Sequence, residues 1–143
     1  MTQSMREAGR NWFELVWNQG RREAITELLT PSLVLHDGGV DSVGAEPFLQ
    51  FFDRMQATFS SIHVDIDQTL VEGDKVCVRW VCTAKHTGDG FGIPPTGAQI
   101  HVTGISLIQF KDGKFIEVWQ NWDMMGMMEQ IKGLAQSPTY VAA

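Results

Sequence analysis

The sequence predicts an α+β domain, a curved antiparallel sheet closed on its concave side by three N-terminal helices. Two observations carry this. Apart from a short strand near residue 34, apolar residues recur at helical spacing up to about residue 59, then at a period of two from about residue 63 to 123. Helices grouped ahead of a hairpin-linked meander pack as a layer against one sheet. A strongly twisted sheet of this kind curls, so the expected shape is a cone with a blind pocket.

Each element has its own signal. Met5, Ala8, Trp12, Phe13 and Val16 form one apolar stripe, and Asn18-Gln19-Gly20 stops that helix. A short second helix fits Glu23 to Leu29, ended by Thr30-Pro31. Leu33-Val34-Leu35 is a brief apolar strand running into the turn Asp37-Gly38-Gly39. The third helix covers about Glu46 to Phe59, with Pro47 in its first turn and Phe48, Phe51, Phe52, Met55 and Phe59 on a broad face.

The meander begins with the alternation His63-Val64-Asp65-Ile66-Asp67 and turns at Glu72-Gly73-Asp74. Val76, Val78, Trp80, Cys82 and Ala84 mark the inner face of a long second strand. Ile100 to Phe110 and Phe115 to about Asp123 flank the hairpin turn Lys111-Asp112-Gly113-Lys114. Met124, Met127, Met128 and Ile131 return to helical spacing. Residues 1–133 thus read as one domain, and residues 134–143 as a loosely ordered tail.

Composition narrows the function. The 143 residues are 43% hydrophobic and 20% charged, with five Trp, seven Met and a formal net charge of −6. An acidic chain without a Lys/Arg cluster is poorly suited to phosphate neutralisation, so nucleic acid is not an expected partner. No apolar run approaches a membrane span, and the N-terminus lacks a secretory apolar stretch. Cys77 and Cys82 lie five apart on one strand, hence on opposite faces, which forbids a mutual disulfide. Reduced thiols and a cytoplasmic location are the expectation.

Few residues offer chemistry. Asp123 follows a strand of large apolar side chains; desolvation there would raise its pKa and make it a usable acid/base. The competing reading is a helix N-cap, since the Met helix follows at once. On the last strand, Glu117, Trp119, Asn121 and Asp123 share one face, and Ile116, Val118, Gln120 and Trp122 the other; each contains a Trp. His36 ends an apolar strand beside Asp37, and His86 is in phase with Trp80 and Cys82, next to a Gly/Pro loop. Ser106 lies mid-strand, where a serine is usually a bonded core hydroxyl. His63, Asp65 and Asp67 alternate like metal ligands, but on the solvated face and without a further ligand, so no metal is expected. No nucleotide-binding or nucleophile-elbow motif occurs, and no cofactor is expected.

Several segments resemble the SnoaL-like polyketide (ester) cyclases. They are Lys85-His86-Thr87-Gly88, Gly92-Ile93-Pro94-Pro95-Thr96-Gly97, Val102-Thr103-Gly104-Ile105, Phe110-Lys111-Asp112-Gly113-Lys114, Ile116-Glu117-Val118-Trp119 and Trp122-Asp123. Asn18-Gln19-Gly20, Leu28-Leu29, Leu35-His36 and Glu72-Gly73-Asp74 agree more loosely, so the resemblance runs from about residue 8 to 133. It implies the cone-shaped α+β barrel of the nuclear transport factor 2-like superfamily and a homodimer packed through the sheet. It further implies cofactor-free ring closure by intramolecular aldol condensation. Asp123 takes the position of the family's acid/base aspartate, and the odd-numbered face of the last strand would line the pocket. Ser106 stands where a histidine is found in the family's best-known cyclase, and serine cannot transfer protons as imidazole does.

The resulting expectation is an enzyme doing acid/base chemistry on a hydrophobic carbonyl compound. Asp123 would move the proton, Asn121, Ser106 or His36 would polarise the oxygen, and Trp80, Trp119 and Phe13 would hold the rings. His86 would sit at the rim. The alternative is a non-catalytic module of the same fold that captures an apolar ligand or dimerises.

Overall fold

A computed structural model describes residues 2–133; the predicted tail, residues 134–143, lies outside the described residues. Helix α1 (Thr2–Trp12) runs directly into a π-helical turn, Phe13–Asn18, which Gly20 ends at φ +67°. Helix α2 (Glu23–Leu28) leads into strand β1 (Leu29–Asp37), and a Gly38-Gly39 turn into the short β2 (Val40–Val43). After α3 (Glu46–Thr58) come β3 (Phe59–Glu72), β4 (Lys75–His86), β5 (Gln99–Lys111) and β6 (Lys114–Trp122), then α4 (Met124–Ile131). Among the described residues no helix is long and apolar enough to cross a membrane.

The six strands form one curved sheet in the order β2-β1-β6-β5-β4-β3, with the helices against its concave face. The α+β cone is thus present, with two refinements. The sheet is mixed, because β1 pairs parallel to β6. It also stays open, with β2 and β3 as free edges. The sequence shows the β3–β6 meander through period-two patterning, but β1 is one short apolar run and β2 only four residues.

Two side-chain amides fasten helices to strand backbone. On edge strand β3, Asn18 accepts the Val64 N–H at 2.7 Å and donates to the Val64 carbonyl at 3.1 Å, occupying the place of a neighbouring strand. Gln130 of α4 does the same on β5, accepting the His101 N–H at 2.8 Å and donating to the His101 carbonyl at 3.0 Å. His101 itself faces solvent.

A third tie lies on the outer face of the sheet. His36 of β1 is hydrogen-bonded through Nδ1 to Asp41 of β2 at 2.7 Å and through Nε2 to Glu117 of β6 at 2.6 Å. Its ring stacks on Trp119, with centroids 5.4 Å apart. The bonds to Glu117 and Asp41 raise the His36 pKa, because both nitrogens must carry protons to donate.

The phase of β6 against β5 is set by one irregularity. The two-residue turn at Asp112-Gly113 pairs Lys111 with Lys114 and Phe110 with Phe115, but the register then shifts by one, so Gln109 meets Glu117 and Ser106 meets Gln120. Phe115 and Val118, three apart, are therefore both buried. Beyond the bulge the even-numbered residues of β6 face the core.

Gly104 of β5 faces inward under the Trp80 ring, and a Cβ there would come within 2.2 Å of it. Trp80 is held by its own hydrogen bond to Ser106 and cannot swing aside freely. Gly104→Ala is expected to cost about 1–3 kcal/mol through overpacking and to change the Trp fluorescence; chemical denaturation showing unchanged stability would contradict this packing. His36 gives a pH prediction. With a folded-state pKa above the unfolded value of about 6.5, its contribution is complete below that pH and is lost as pH rises through the folded pKa. Thermal melts across this window should show a loss of stability that His36→Gln abolishes.

Candidate functional site

The concave side of the sheet encloses a cavity of about 50 Å³. The π-helical turn contributes Phe13 and Trp17, and α3 contributes Phe51 and Met55. Trp80 and Cys82 project from β4, and Met127 closes the cavity from α4. Apart from Trp17, these positions follow from the inner phases of strand and helix read in the sequence. Burial pushes the Cys82 thiol pKa up to about 11, so it is a neutral apolar wall. From β6 come Gln120 and Trp122, and among the described residues Gln120 is the cavity's only amide or ionisable oxygen-bearing side chain.

That amide belongs to a chain of hydrogen bonds. Trp80 Nε1–H donates to Ser106 Oγ at 3.1 Å, and the Ser106 hydroxyl donates to Gln120 Oε1 at 3.0 Å. Gln120 Nε2–H then donates to Asp37 Oδ2 at 3.4 Å. Its direction is forced at both ends, since an indole only donates and a carboxylate only accepts. Gln120 is therefore fixed with its NH₂ toward Asp37.

Asp37 stands at the end of β1, directly beside Gln120 in the parallel register and half-buried. Burial raises its carboxyl pKa above the ordinary carboxylate value, while hydrogen bonding from Trp122 and Gln120 acts against that rise. A carboxyl so placed is a better match to acid/base work near neutral pH than a fully hydrated one.

The predicted site residues divide. Phe13 and Trp80 line the cavity, and Ser106 is buried one bond behind it. The bulge in β6 turns Trp119 and Asn121 to the outer face, opposite to the expected odd-numbered lining: Trp119 stacks on His36, and Asn121 is exposed. His36 is on that outer face as well, because its neighbour Asp37 points inward. The expectation of a desolvated Asp123 is also corrected. Asp123 is exposed and caps α4, its Oδ1 accepting the Gly126 N–H at 2.9 Å. A Cβ at Gly126 would lie 2.1 Å from that carboxylate, so a larger residue there would displace the Asp123 side chain from the cap.

His86 points inward as its phase implies and is wholly buried, but it lies outside the cavity lining. The Thr96 N–H donates to its Nδ1 at 3.2 Å, which leaves the proton of the neutral ring on Nε2; that atom has no partner among the described residues. His63 pairs with Asp65, and Asp67 with Arg79. No group of three or more His, Cys, Asp or Glu placed to hold a metal occurs among the described residues.

Gln120, Trp122, Trp17 and Asp37 were missed. Trp17 is four residues after Phe13, and the π turn keeps both on the inner side. For β6 the usable signal was Glu117: an inward odd face would have buried its carboxylate among apolar neighbours.

Known proteins share this fold. A protein from Jannaschia sp. CCS1, classed as a SnoaL-like polyketide cyclase, superposes with a TM-score of 0.82 at 25% identity, covering 94% of each chain. One from Acidithiobacillus ferrooxidans, classed as a polyketide cyclase, gives 0.79 at 28% identity over 92% of this chain and 96% of that one. A protein of ketosteroid isomerase-like fold from Catenulispora acidiphila, complexed with trimethylamine, gives 0.73 at 19% identity over 92% and 98%, which is a likeness of fold. No curated protein matches. The family model of the SnoaL-like polyketide cyclases matches residues 8–131, nearly the whole described chain, and the protein belongs to that family.

Proposed function

We propose that the cavity takes a hydrophobic carbonyl compound and that Gln120 and Asp37 carry cofactor-free acid/base chemistry on it. The observation that carries this reading is the chain from Trp80 through Ser106 and Gln120 to Asp37. Gln120 Nε2 has a second N–H that makes no hydrogen bond among the described residues, and a carbonyl oxygen in the cavity can accept it. The Asp37 carboxylate lies behind that amide rather than in the cavity lining, and takes a proton from the carbon α to the carbonyl when the ligand reaches past Gln120 and Trp122. The resulting enolate oxygen keeps the Gln120 hydrogen bond, which strengthens as charge develops. Return of the proton to another carbon gives isomerisation; attack of the enolate on a second carbonyl gives aldol closure.

Ser106 fits a positioning role, holding the amide so that imidazole is not needed at that strand position. Asp123, at the helix cap, acts through structure. The outer face of the sheet, with Ile105 46% and Leu70 66% exposed, suits the homodimer contact that the family resemblance implies. The two free thiols accord with a cytoplasmic location. One observation favours a second reading, capture without turnover: Asp37 touches the cavity only through Gln120 and Trp122.

Proton abstraction is read directly as exchange of the α-hydrogens of acetophenone in D₂O, followed by NMR. Asp37→Asn should lower the enzyme-dependent exchange by about 10²–10⁴-fold, with acetophenone binding retained. Asp123→Asn, which preserves a good cap, should exchange at the wild-type rate. Full activity in Asp37→Asn together with loss in Asp123→Asn would reverse the assignment, and binding without exchange in the wild type would favour capture.

A further inference from the structure

We propose that His36, on the outer face of the sheet, is a positioning residue for the Asp37 carboxyl on the inner face. This rests on the reading of Asp37 as the base, and it concerns how that carboxyl is kept against Gln120.

The parallel register makes two successive rungs at this end of β1, His36 beside Trp119 and Asp37 beside Gln120. On the outer rung the His36 and Trp119 rings stack, with centroids 5.4 Å apart and planes within 17° of parallel. On the inner rung Gln120 donates to Asp37 at 3.4 Å. That is longer than the usual span of about 2.7–3.2 Å for such a bond, so roughly a few tenths of an ångström between the strands make or break it.

Little else fixes the end of β1. Its pairing with β6 is irregular between Leu29 and Val34. After Asp37 the chain turns through Gly38 and Gly39, at φ +59° and +85°, with no side chain to pack. Val34 and Leu35 have no polar side-chain atom, whereas His36 bonds to both neighbouring strands, to Asp41 of β2 and Glu117 of β6. The brace therefore acts on the residue before Asp37, and its stacking partner is the residue before Gln120.

The brace also depends on charge. Asp41 and Glu117 are the charged groups against His36, and neither pairs with a Lys or Arg among the described residues. On β5, Gln109 opposite Glu117 is neutral. Carboxylates only accept, so the ring holds both contacts only as an imidazolium. When it loses a proton, one nitrogen turns a lone pair on a carboxylate oxygen at 2.6 or 2.7 Å, and that contact opens.

The carboxyl carbon of Asp37 and the side-chain NH₂ of Gln120 report this by NMR, in a titration upward from the ordinary histidine value of about 6.5. Both signals should show an inflection at the midpoint of the His36 imidazole, while the Trp80 indole N–H stays in place. Glu117→Gln keeps an acceptor but removes one carboxylate, so the His36 midpoint falls and both inflections should move down with it. Asp41→Asn gives the same reading if that variant does not fold. His36→Gln should abolish the inflections. Enzyme-dependent exchange of acetophenone should fall about tenfold across the same interval, part of what a positioned base contributes. Asp37 and Gln120 signals that stay flat while His36 titrates would overturn the positioning role and leave Asp37 as the base. Coupled signals together with full exchange in Asp37→Asn would sustain the positioning role and remove the base.

Discussion

The position of the Trp80 ring over Gly104 organises the concave side of this protein. Because residue 104 has no side chain, the indole lies flat against β5, and its N–H reaches Ser106. Ser106 accepts that bond and donates its hydroxyl hydrogen to Gln120 Oε1, which leaves the Gln120 NH₂ toward Asp37. One missing Cβ thus connects sheet packing to the placement of a carboxyl three hydrogen bonds away from the indole. The same ring forms a rigid cavity wall, so packing, polarity and volume share a cause.

The chain also joins four strands. Trp80 belongs to β4, Ser106 to β5, Gln120 to β6 and Asp37 to β1, adjacent in that order. Each link is a side chain on the inner face of its strand, and each depends on register. The shift between Gln109 and Phe110 is what brings Gln120 opposite Ser106. Without it the Asp112-Gly113 turn would have placed Trp119 there. Buried polar networks are costly unless every member is bonded, and here the donor end and acceptor end are both satisfied by groups with no choice of role.

Much of the fold was legible in the sequence because long elements repeat their signal. The Val76 to Ala84 alternation and the Phe-rich face of α3 each gave several concordant positions; the first is buried throughout, and on the second Phe48, Phe52 and Met55 are buried while Phe51 is half-buried. β2 has only four residues, and β1's parallel partner lies some eighty residues away in sequence, where no local pattern reports it. The site was legible on β4, through Trp80, and in the first helix, through Phe13. On β6 the alternation grouped Val118, Gln120 and Trp122 on one face but left open which face is inner; the family resemblance pointed to the odd-numbered one, and the bulge that fixes the phase leaves no mark in period-two counting. The Asp123 cap was one of the two readings the sequence allowed. Asp37 was in view only as the neighbour of His36, and strand alternation sends the two to opposite sides of the sheet.

The central claim is that the carboxyl tied to the cavity, and kept partly from water, is Asp37. A carbon-detected NMR pH titration of the Asp37 side chain tests it most directly, in the wild type and in Gln120→Leu. The account predicts a midpoint above the ordinary aspartate value of about 3.9, rising further in Gln120→Leu, where a donor that favours the charged form is lost. A midpoint at or below the ordinary value, unmoved by that substitution, would contradict it.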